Sequence, residues 1–443
     1  MHDARGPAKA FTTGSRTALA LLGAAMVAVA GCGQQGRMEK PILQNVQRVV
    51  FLGDSITYGG RYVDYVDAYM ATRLPDRRCD LVNLGLPSET VSGLSEPGHA
   101  GGAFPRPDLH ERLGRLLQKT RPDLVVACYG MNDGIYYPLG EDRFQRYRDG
   151  IGRLVDRART AGARVLLLTP PVFDPVPIKA RTLPAGRDEY RQPYEGYNEV
   201  LDRYAAWLLE ERERGCSVAD VHGPTNRHLE ARRRDTPDYL LAGDGVHCNA
   251  FGHWLIAAAV LQAWGMPAEV DTAEIDAANA SVVRGRVTDL AADAQGIRFA
   301  YLTRLPMPMD PSWDPKSVEL EQIVERFNRH RLVVRGAPAA RYELYEDATL
   351  VGTFTRQELA AGVDLVRLAN LSTNRRALEV LNRVSQRQRL VKDAWLNDIG
   401  HKRPGMAKGL PLAEALRKAA ELDREIRALA APATLNLRLV VAK

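Results

Sequence analysis

Five short, continuously apolar runs recur in the first 270 residues, each closed by a glycine, a proline or a polar turn. They lie at 49–52, 80–84, 124–128, 164–169 and 216–221. Runs of this length that do not alternate with polar residues read as strands buried on both faces. Between them stand segments with helical spacing at 62–74, 108–118, 143–160 and 194–214, and a last one follows at 250–264. Strand alternating with helix over some 220 residues predicts a parallel sheet covered by helices on both sides.

The expected fold is therefore α/β, a flavodoxin-like doubly wound parallel sheet of order 2-1-3-4-5, over residues 46–268. Past residue 270 the pattern changes. Segments 282–302 and 332–368 alternate polar and apolar positions, as in 331–336 and 340–345, and read as antiparallel strands and hairpins. Residues 374–400 and 412–430 read as helices, and 435–441 as a returning strand. This predicts a smaller α+β accessory domain over 269–443. A total of 443 residues suits two domains, and 45% hydrophobic residues suffice for a sizeable core.

The amino terminus reads as a processed segment rather than as fold. Arg5, Lys9 and Arg16 precede an apolar run over about 17–30 that is short for a membrane span and ends Val29-Ala30-Gly31-Cys32. Small residues ahead of a cysteine resemble a bacterial lipobox. That predicts a lipoprotein signal peptide at 1–31, lipidation of Cys32, a tether at 32–45, and a protein exported and lipid-anchored to a bacterial envelope membrane; an ordinary secretory signal or an uncleaved anchor is the plainer alternative. Export would place Cys79, Cys128, Cys216 and Cys248 where disulfides are permitted, and four cysteines allow three pairings. Cys128, inside an apolar run, reads as a buried free thiol. The net charge of +6 is interspersed with acidic residues, without a block or a module that would mark a nucleic-acid partner.

Candidate chemistry collects at the ends of the apolar runs, the edge where ligands of open α/β sheets bind. The first run ends Gly53-Asp54-Ser55, the second at Gly85, and the third is followed by Gly130-Met131-Asn132-Asp133. Asp244-Gly245-Val246-His247 stands before the last helix. By itself Ser55 could be a helix N-cap. With the first strand between the second and third, however, the neighbouring ends flank Ser55. A serine hydroxyl is a poor nucleophile without a base, and His247 can serve. Asp244, three residues earlier, can fix the imidazole tautomer. The backbone N–H groups of Ser55 and Gly85 and the Asn132 amide can converge on a developing oxyanion.

These four blocks, in this order and each at a strand end, resemble the SGNH (GDSL) hydrolase superfamily over about 46–268. The resemblance implies Ser55 as nucleophile, His247 as base, Asp244 as its orienting acid, Gly85 and Asn132 as oxyanion donors, and an esterase working without metal or other cofactor. Ile56 stands where leucine opens many such motifs, and Cys248 where proline often follows the histidine. No GxSxG elbow occurs, which argues against an ordinary α/β-hydrolase.

Plainer readings stand beside these. Asp54 suits a loop organiser that caps neighbouring N–H groups. His253 suits a structural role, and His99 either a lid or plain surface. A zinc site from His247, Cys248 and His253 lacks a recognised ligand spacing. The expected activity is hydrolysis of carboxylic esters through an acyl-enzyme, on a small-molecule or glycan ester substrate carrying short acyl or acetyl groups. The alternatives are an inactive scaffold acting as an envelope glycan-binding or structural protein, and a separate carbohydrate-binding module at 270–443.

Overall fold

The computed structural model describes residues 42–442, so Cys32 and the expected signal segment lie outside the described residues. Strand β1 (Arg48–Gly53) is the centre of the first sheet, and Val49, Val50, Phe51 and Leu52 are all fully buried. It pairs in parallel with β2 (Asp80–Asn83) on one side and β3 (Leu124–Cys128) on the other. β4 (Arg164–Leu168) and β5 (Ser217–Ala219) complete the order 2-1-3-4-5, as the apolar runs predict. The intervening helices are α1 (Ser55–Gly59), α2 (Arg61–Arg73), α3 (Leu109–Thr120), α4 (Glu141–Thr160), α5 (Tyr197–Glu210), α6 (His222–Asp235) and α7 (Ala250–Ala263).

α6 has no counterpart among the expected elements. Its buried positions are His222, Thr225, His228, Leu229 and Arg232, which recur with helical spacing but include one aliphatic residue. A hydrophobic pattern cannot announce a helix whose inner face is polar. α7 shows the opposite case. It is apolar all round, because its far side is covered by the following chain: Trp313 and Phe327 pack on Trp254, with ring centroids 4.9 and 5.2 Å away.

The remaining elements are β6 (Glu269–Asp276), β7 (Ser281–Arg284), β8 (Val287–Asp293), β9 (Gly296–Thr303), the short helices α8 (Pro315–Leu320) and α9 (Ile323–Phe327), β10 (Arg329–Arg335), β11 (Arg341–Glu346), β12 (Thr349–Thr355), α10 (Arg356–Ala361), β13 (Val363–Asp364), α11 (Ser372–Ile399), α12 (Leu412–Ala430) and β14 (Ala433–Val441). They form two sheets, β13-β10-β6-β7 and β12-β11-β14-β9-β8. The second is antiparallel throughout, as expected. The first is mixed, because β6 and β10 pair in parallel across a break in register at Arg329–His330. That break also upsets strict alternation in β6, which the hydrophobic pattern does not reveal. β14 is the clearest strand of this part: Ala433, Leu435, Leu437 and Leu439 point inward and the residues between them outward.

The described residues form one compact unit. α11 returns onto the first sheet, and its Val380, Leu381 and Val384 join the same core as the strand residues Val49 to Leu52. Polar contacts seal this seam. Ser385 donates to Asp64 Oδ2 at 2.7 Å, Gln388 donates to Asp67 Oδ2 and to the Leu81 carbonyl, and Arg387 pairs with Asp67 and Asp423. The last residues of the expected tether are already part of this body, since Leu43 is buried.

Candidate active site

Gly53 ends β1 because nothing larger fits: a Cβ there would lie 2.1 Å from Thr57 Oγ1 and 2.7 Å from the Cys128 carbonyl oxygen. The chain turns at once into α1. Asp54, not Ser55, caps that helix, its Oδ1 accepting the Ile56 N–H at 2.9 Å. The loop-organising reading of Asp54 holds, and Ser55 is left free for other partners. Burial raises the Asp54 carboxyl to about 7 against the opposing Ile56 bond.

The histidine loop closes on Ser55 from the other end of the chain. His247 Nε2 lies 2.7 Å from Ser55 Oγ, and Nδ1 lies 2.6 Å from Asp244 Oδ2. A carboxylate only accepts, so Nδ1 carries the proton and Nε2 presents its lone pair to the serine hydroxyl. Asp244 also receives the backbone N–H groups of Val246 and His247 on Oδ1, at 3.0 and 2.7 Å. Partial burial by itself would raise its carboxyl; the His247 bonds and the Val246 N–H outweigh it and hold the pKa below the ordinary value. Both side chains are about half exposed, 50% for His247 and 53% for Asp244, so the array is open to an incoming molecule.

Asn132 sits in the turn after β3, buried and tightly specified. Its Nδ2 donates to the Glu89 carbonyl at 3.3 Å, and Tyr136 O–H donates to its Oδ1 at 3.1 Å. The next residue, Asp133, is fully buried and binds three backbone N–H groups, those of Val91 and Ser92 on Oδ1 and of Gly130 on Oδ2, each at 2.8 Å. It ties the loop after β2 to the turn after β3. Burial nevertheless raises its pKa to about 6.

Gly85 requires a correction. Its N–H is spent on Asn83 Oδ1 at 3.0 Å, so it is not free to serve as an oxyanion donor. Its glycine identity has another cause, since a Cβ would lie 2.3 Å from the Tyr58 backbone nitrogen and 2.6 Å from the Thr57 carbonyl carbon. The free donor of this loop is three residues on. Glu89 N–H bonds back to the Leu86 carbonyl at 3.1 Å, closing a turn with Pro87 and Ser88 in its middle. Ser88 has φ of +68°, a left-handed conformation that costs a non-glycine residue about 1–2 kcal/mol. Its N–H has no protein partner among the described residues and lies next to Glu89, whose carbonyl holds Asn132. The sequence signal was Pro-Ser at the centre of a turn, which by itself suggests geometry rather than chemistry.

Beneath this turn lies an ion pair that the sequence did not reveal. Glu89 and Arg112, each 1% exposed, join through bonds of 2.6 and 2.7 Å, and Tyr129 O–H donates to the same carboxylate at 2.6 Å. At the rim, His99 packs edge-on against Phe104 and touches Glu96, to which Arg106 donates from Nε and Nη2. His253 is buried and stacks on Tyr62, away from any ligand set. A Cβ at Gly252, at the start of α7, would lie 2.6 Å from Cys248 Cβ, and all four described cysteines are free. Among the described residues, no group of three or more His, Cys, Asp or Glu side chains could hold a metal ion.

The family that the sequence of the first domain matches defines its class, a carboxylic ester hydrolase. Residues 51–255 match the GDSL-like Lipase/Acylhydrolase family, which makes this region a hydrolase domain of the SGNH type. Among solved structures the chain is similar to a gut microbial diltiazem-metabolizing enzyme, with 20% identity and a TM-score of 0.74 over 89% of this chain and 98% of that one. That likeness in fold extends well past the matched domain into the C-terminal sheets. An acetylxylan esterase from Geobacillus stearothermophilus aligns at 21% identity over 52% of this chain and 98% of its own, TM-score 0.38. An alpha/beta hydrolase enzyme from the metagenome of Lake Arreo, Spain, aligns at 27% identity over 49% of this chain and 95% of its own, TM-score 0.34.

Proposed function

We propose that the protein is a serine esterase that works through an acyl-enzyme. The observation that carries this is the chain of two short hydrogen bonds, Ser55 Oγ to His247 Nε2 at 2.7 Å and His247 Nδ1 to Asp244 Oδ2 at 2.6 Å. Ser55 Oγ attacks the ester carbonyl as its proton passes to Nε2, and the C=O electron pair moves onto oxygen. Asp244 stabilises the imidazolium without taking its proton. Collapse of the tetrahedral adduct expels the alcohol, which takes the Nε2 proton. Water then repeats the sequence on the acyl-Ser55 and releases the acid. The oxyanion is held by the N–H of Ser55, which has no partner within the first helical turn, by the N–H of Ser88 and by Nδ2 of Asn132. Each such donor contributes ~3–4 kcal/mol when placed on the developing charge.

We read the substrate as an ester with a short acyl group and a polar alcohol part, such as an acetylated glycan. A cavity of about 590 Å³ beside the Ser88 turn supports this, since Glu89, Arg106, Arg112, His401 and Lys402 are among its lining residues. His401 and Lys402 come from the loop after α11, so the C-terminal part supplies one wall of this cavity. The reading of 1–31 as an export signal and of Cys32 as the lipidated residue places the enzyme on a bacterial envelope membrane. Cys32→Ser should then release it to the soluble fraction, and unchanged membrane association rules out the anchor.

Two measurements test the activity. A fluorophosphonate should label the folded protein at Ser55 and not the Ser55→Ala variant, and failure to label points instead to an inactive scaffold. Turnover of p-nitrophenyl esters should fall steeply from acetyl to octanoyl; a rise along that series removes the short-acyl reading while leaving the esterase intact.

A further inference from the structure

The segment after Asn132 is more elaborate than a turn needs to be. Ile135 and Tyr136 follow one another with φ of +50° and +60°. Left-handed backbone is uncommon for any non-glycine residue and a marked outlier for a β-branched one. Two such residues in succession persist only where the surroundings enforce them, and strain of this kind collects at functional sites. Here Tyr197 enforces it. Its hydroxyl donates to the Met131 carbonyl at 2.9 Å and accepts the Gly134 N–H at 3.1 Å, and a Cβ at Gly134 would lie 2.8 Å from that oxygen.

The outcome is the placement of one ring. Tyr136 stacks on Tyr197 with centroids 4.8 Å apart, meets Phe173 edge-on at 6.1 Å, and has the Arg106 guanidinium 5.4 Å from its centroid. Its hydroxyl reaches Asn132 Oδ1 at 3.1 Å. The roles in this bond are fixed by chemistry. The Glu89 carbonyl can only accept, so it must face the amide nitrogen, and the amide oxygen must face the tyrosine, which donates. One Nδ2 proton is thereby spent on Glu89, and the other is left for a ligand. Without the hydroxyl, the amide loses the contact that distinguishes its two ends on the oxygen side.

We propose that Tyr136 is a positioning residue for ester hydrolysis: its O–H, brought to Asn132 by the left-handed Ile135–Tyr136 segment, fixes the Asn132 amide with Nδ2 toward the oxyanion. This rests on Asn132 being an oxyanion donor. A group acting through Asn132 matters when negative charge develops and matters little to ground-state binding. Tyr136→Phe keeps the ring, its stacking and the backbone, and removes only the donor.

The test is a double-mutant cycle on p-nitrophenyl acetate with Tyr136→Phe, Asn132→Ala and the two combined, with Ser55→Ala as control. Tyr136→Phe should lower kcat about tenfold with KM within about twofold and an unchanged melting temperature. In the Asn132→Ala background the same change should cost less than about twofold. A tenfold loss that persists in that background overturns the proposal, as does a Tyr136→Phe enzyme with unchanged kcat or an Asn132→Ala enzyme with unchanged kcat. Should Asn132→Ala not fold, inhibition by a simple alkyl boronic acid, whose adduct with serine mimics the tetrahedral state, replaces it. Tyr136→Phe should weaken that inhibition by the same factor as kcat, and equal inhibition of both enzymes overturns the proposal. Activity remaining in Ser55→Ala instead condemns the esterase mechanism itself, so the two failures are separable.

Discussion

The two halves of the body bury their apolar surface in opposite ways. In the first, five parallel strands are each apolar along their length, and helices on both faces complete the core. In the second, strands such as β14 bury every other residue, and β6 pairs with β10 from some 60 residues away. Chemistry gathers at the strand ends of the first half, where loops are freed from the ladder and side chains can converge. The second half contributes mainly at its seam, through α11 against α2 and through the loop carrying His401 and Lys402. The lesson is a division of labour: one edge carries reactivity and is half exposed, whereas the seam carries stability and is buried.

That division can be broken by experiment. Ser55→Ala should reduce kcat/KM by ~10⁴ or more while leaving the denaturation midpoint unchanged, since Ser55 is not the cap of α1. A comparable loss of stability would mean that reactivity and folding are not separated at this edge. Arg387→Ala should do the reverse. It removes the cationic partner of the buried Asp67 carboxylate at the seam and leaves it the Gln388 amide, and breaking such a pair costs ~3–5 kcal/mol, readable by urea denaturation. The kcat of the fraction that remains folded should stay within about twofold, because nothing at the seam touches the reacting atoms.

A smaller effect sharpens the account of the Ser88 turn. Ser88→Gly retains the N–H and removes a left-handed serine, so activity should stay within about threefold and stability within about 1 kcal/mol. A hundredfold loss would show that the Ser88 hydroxyl, not its backbone, does the work. The smallest expected effect is a slope. Asp54 titrates at about 7 when folded against an ordinary 3.8, so between these values the folded protein holds a proton that the unfolded chain has lost. Its stabilising contribution is full below about pH 3.8 and disappears as pH rises through about 7. Asp54→Asn should keep the cap on Ile56 and flatten thermal stability across that window, leaving the weaker slopes from the buried Asp64 and Asp133 carboxyls, each raised to about 6. Identical pH profiles for the two proteins would refute the buried, proton-holding carboxyl.

How much of this was legible in the sequence differs by residue. The five strands were, because burial on two faces writes itself as an uninterrupted apolar run. Ser55, Asp244 and His247 were, because a polar triplet at a strand end and a histidine three residues after an aspartate have few other uses together. α6 was not, since apart from Leu229 its buried face is His222, Thr225, His228 and Arg232, and its two histidines and its arginine bond to residues of other elements. His228, for instance, meets Glu321 at 2.9 Å. Gly85 was legible as a special position and misleading as to why: a glycine needed for close backbone approach and one needed for a free N–H look alike in one dimension.

Sequence alone thus determined the sheet, its order and the identity of the groups at its edge, all of which follow from local pattern and from the known behaviour of parallel strands. It could not determine which N–H groups are free. That depended on where Asn83 Oδ1, the Asp133 carboxylate and the Leu86 carbonyl found their donors. Hydrogen bonds are exclusive and act over about 3 Å, so only the folded chain could distribute them, leaving Ser88 and one proton of Asn132 unspent and bringing Tyr136 within reach of the amide.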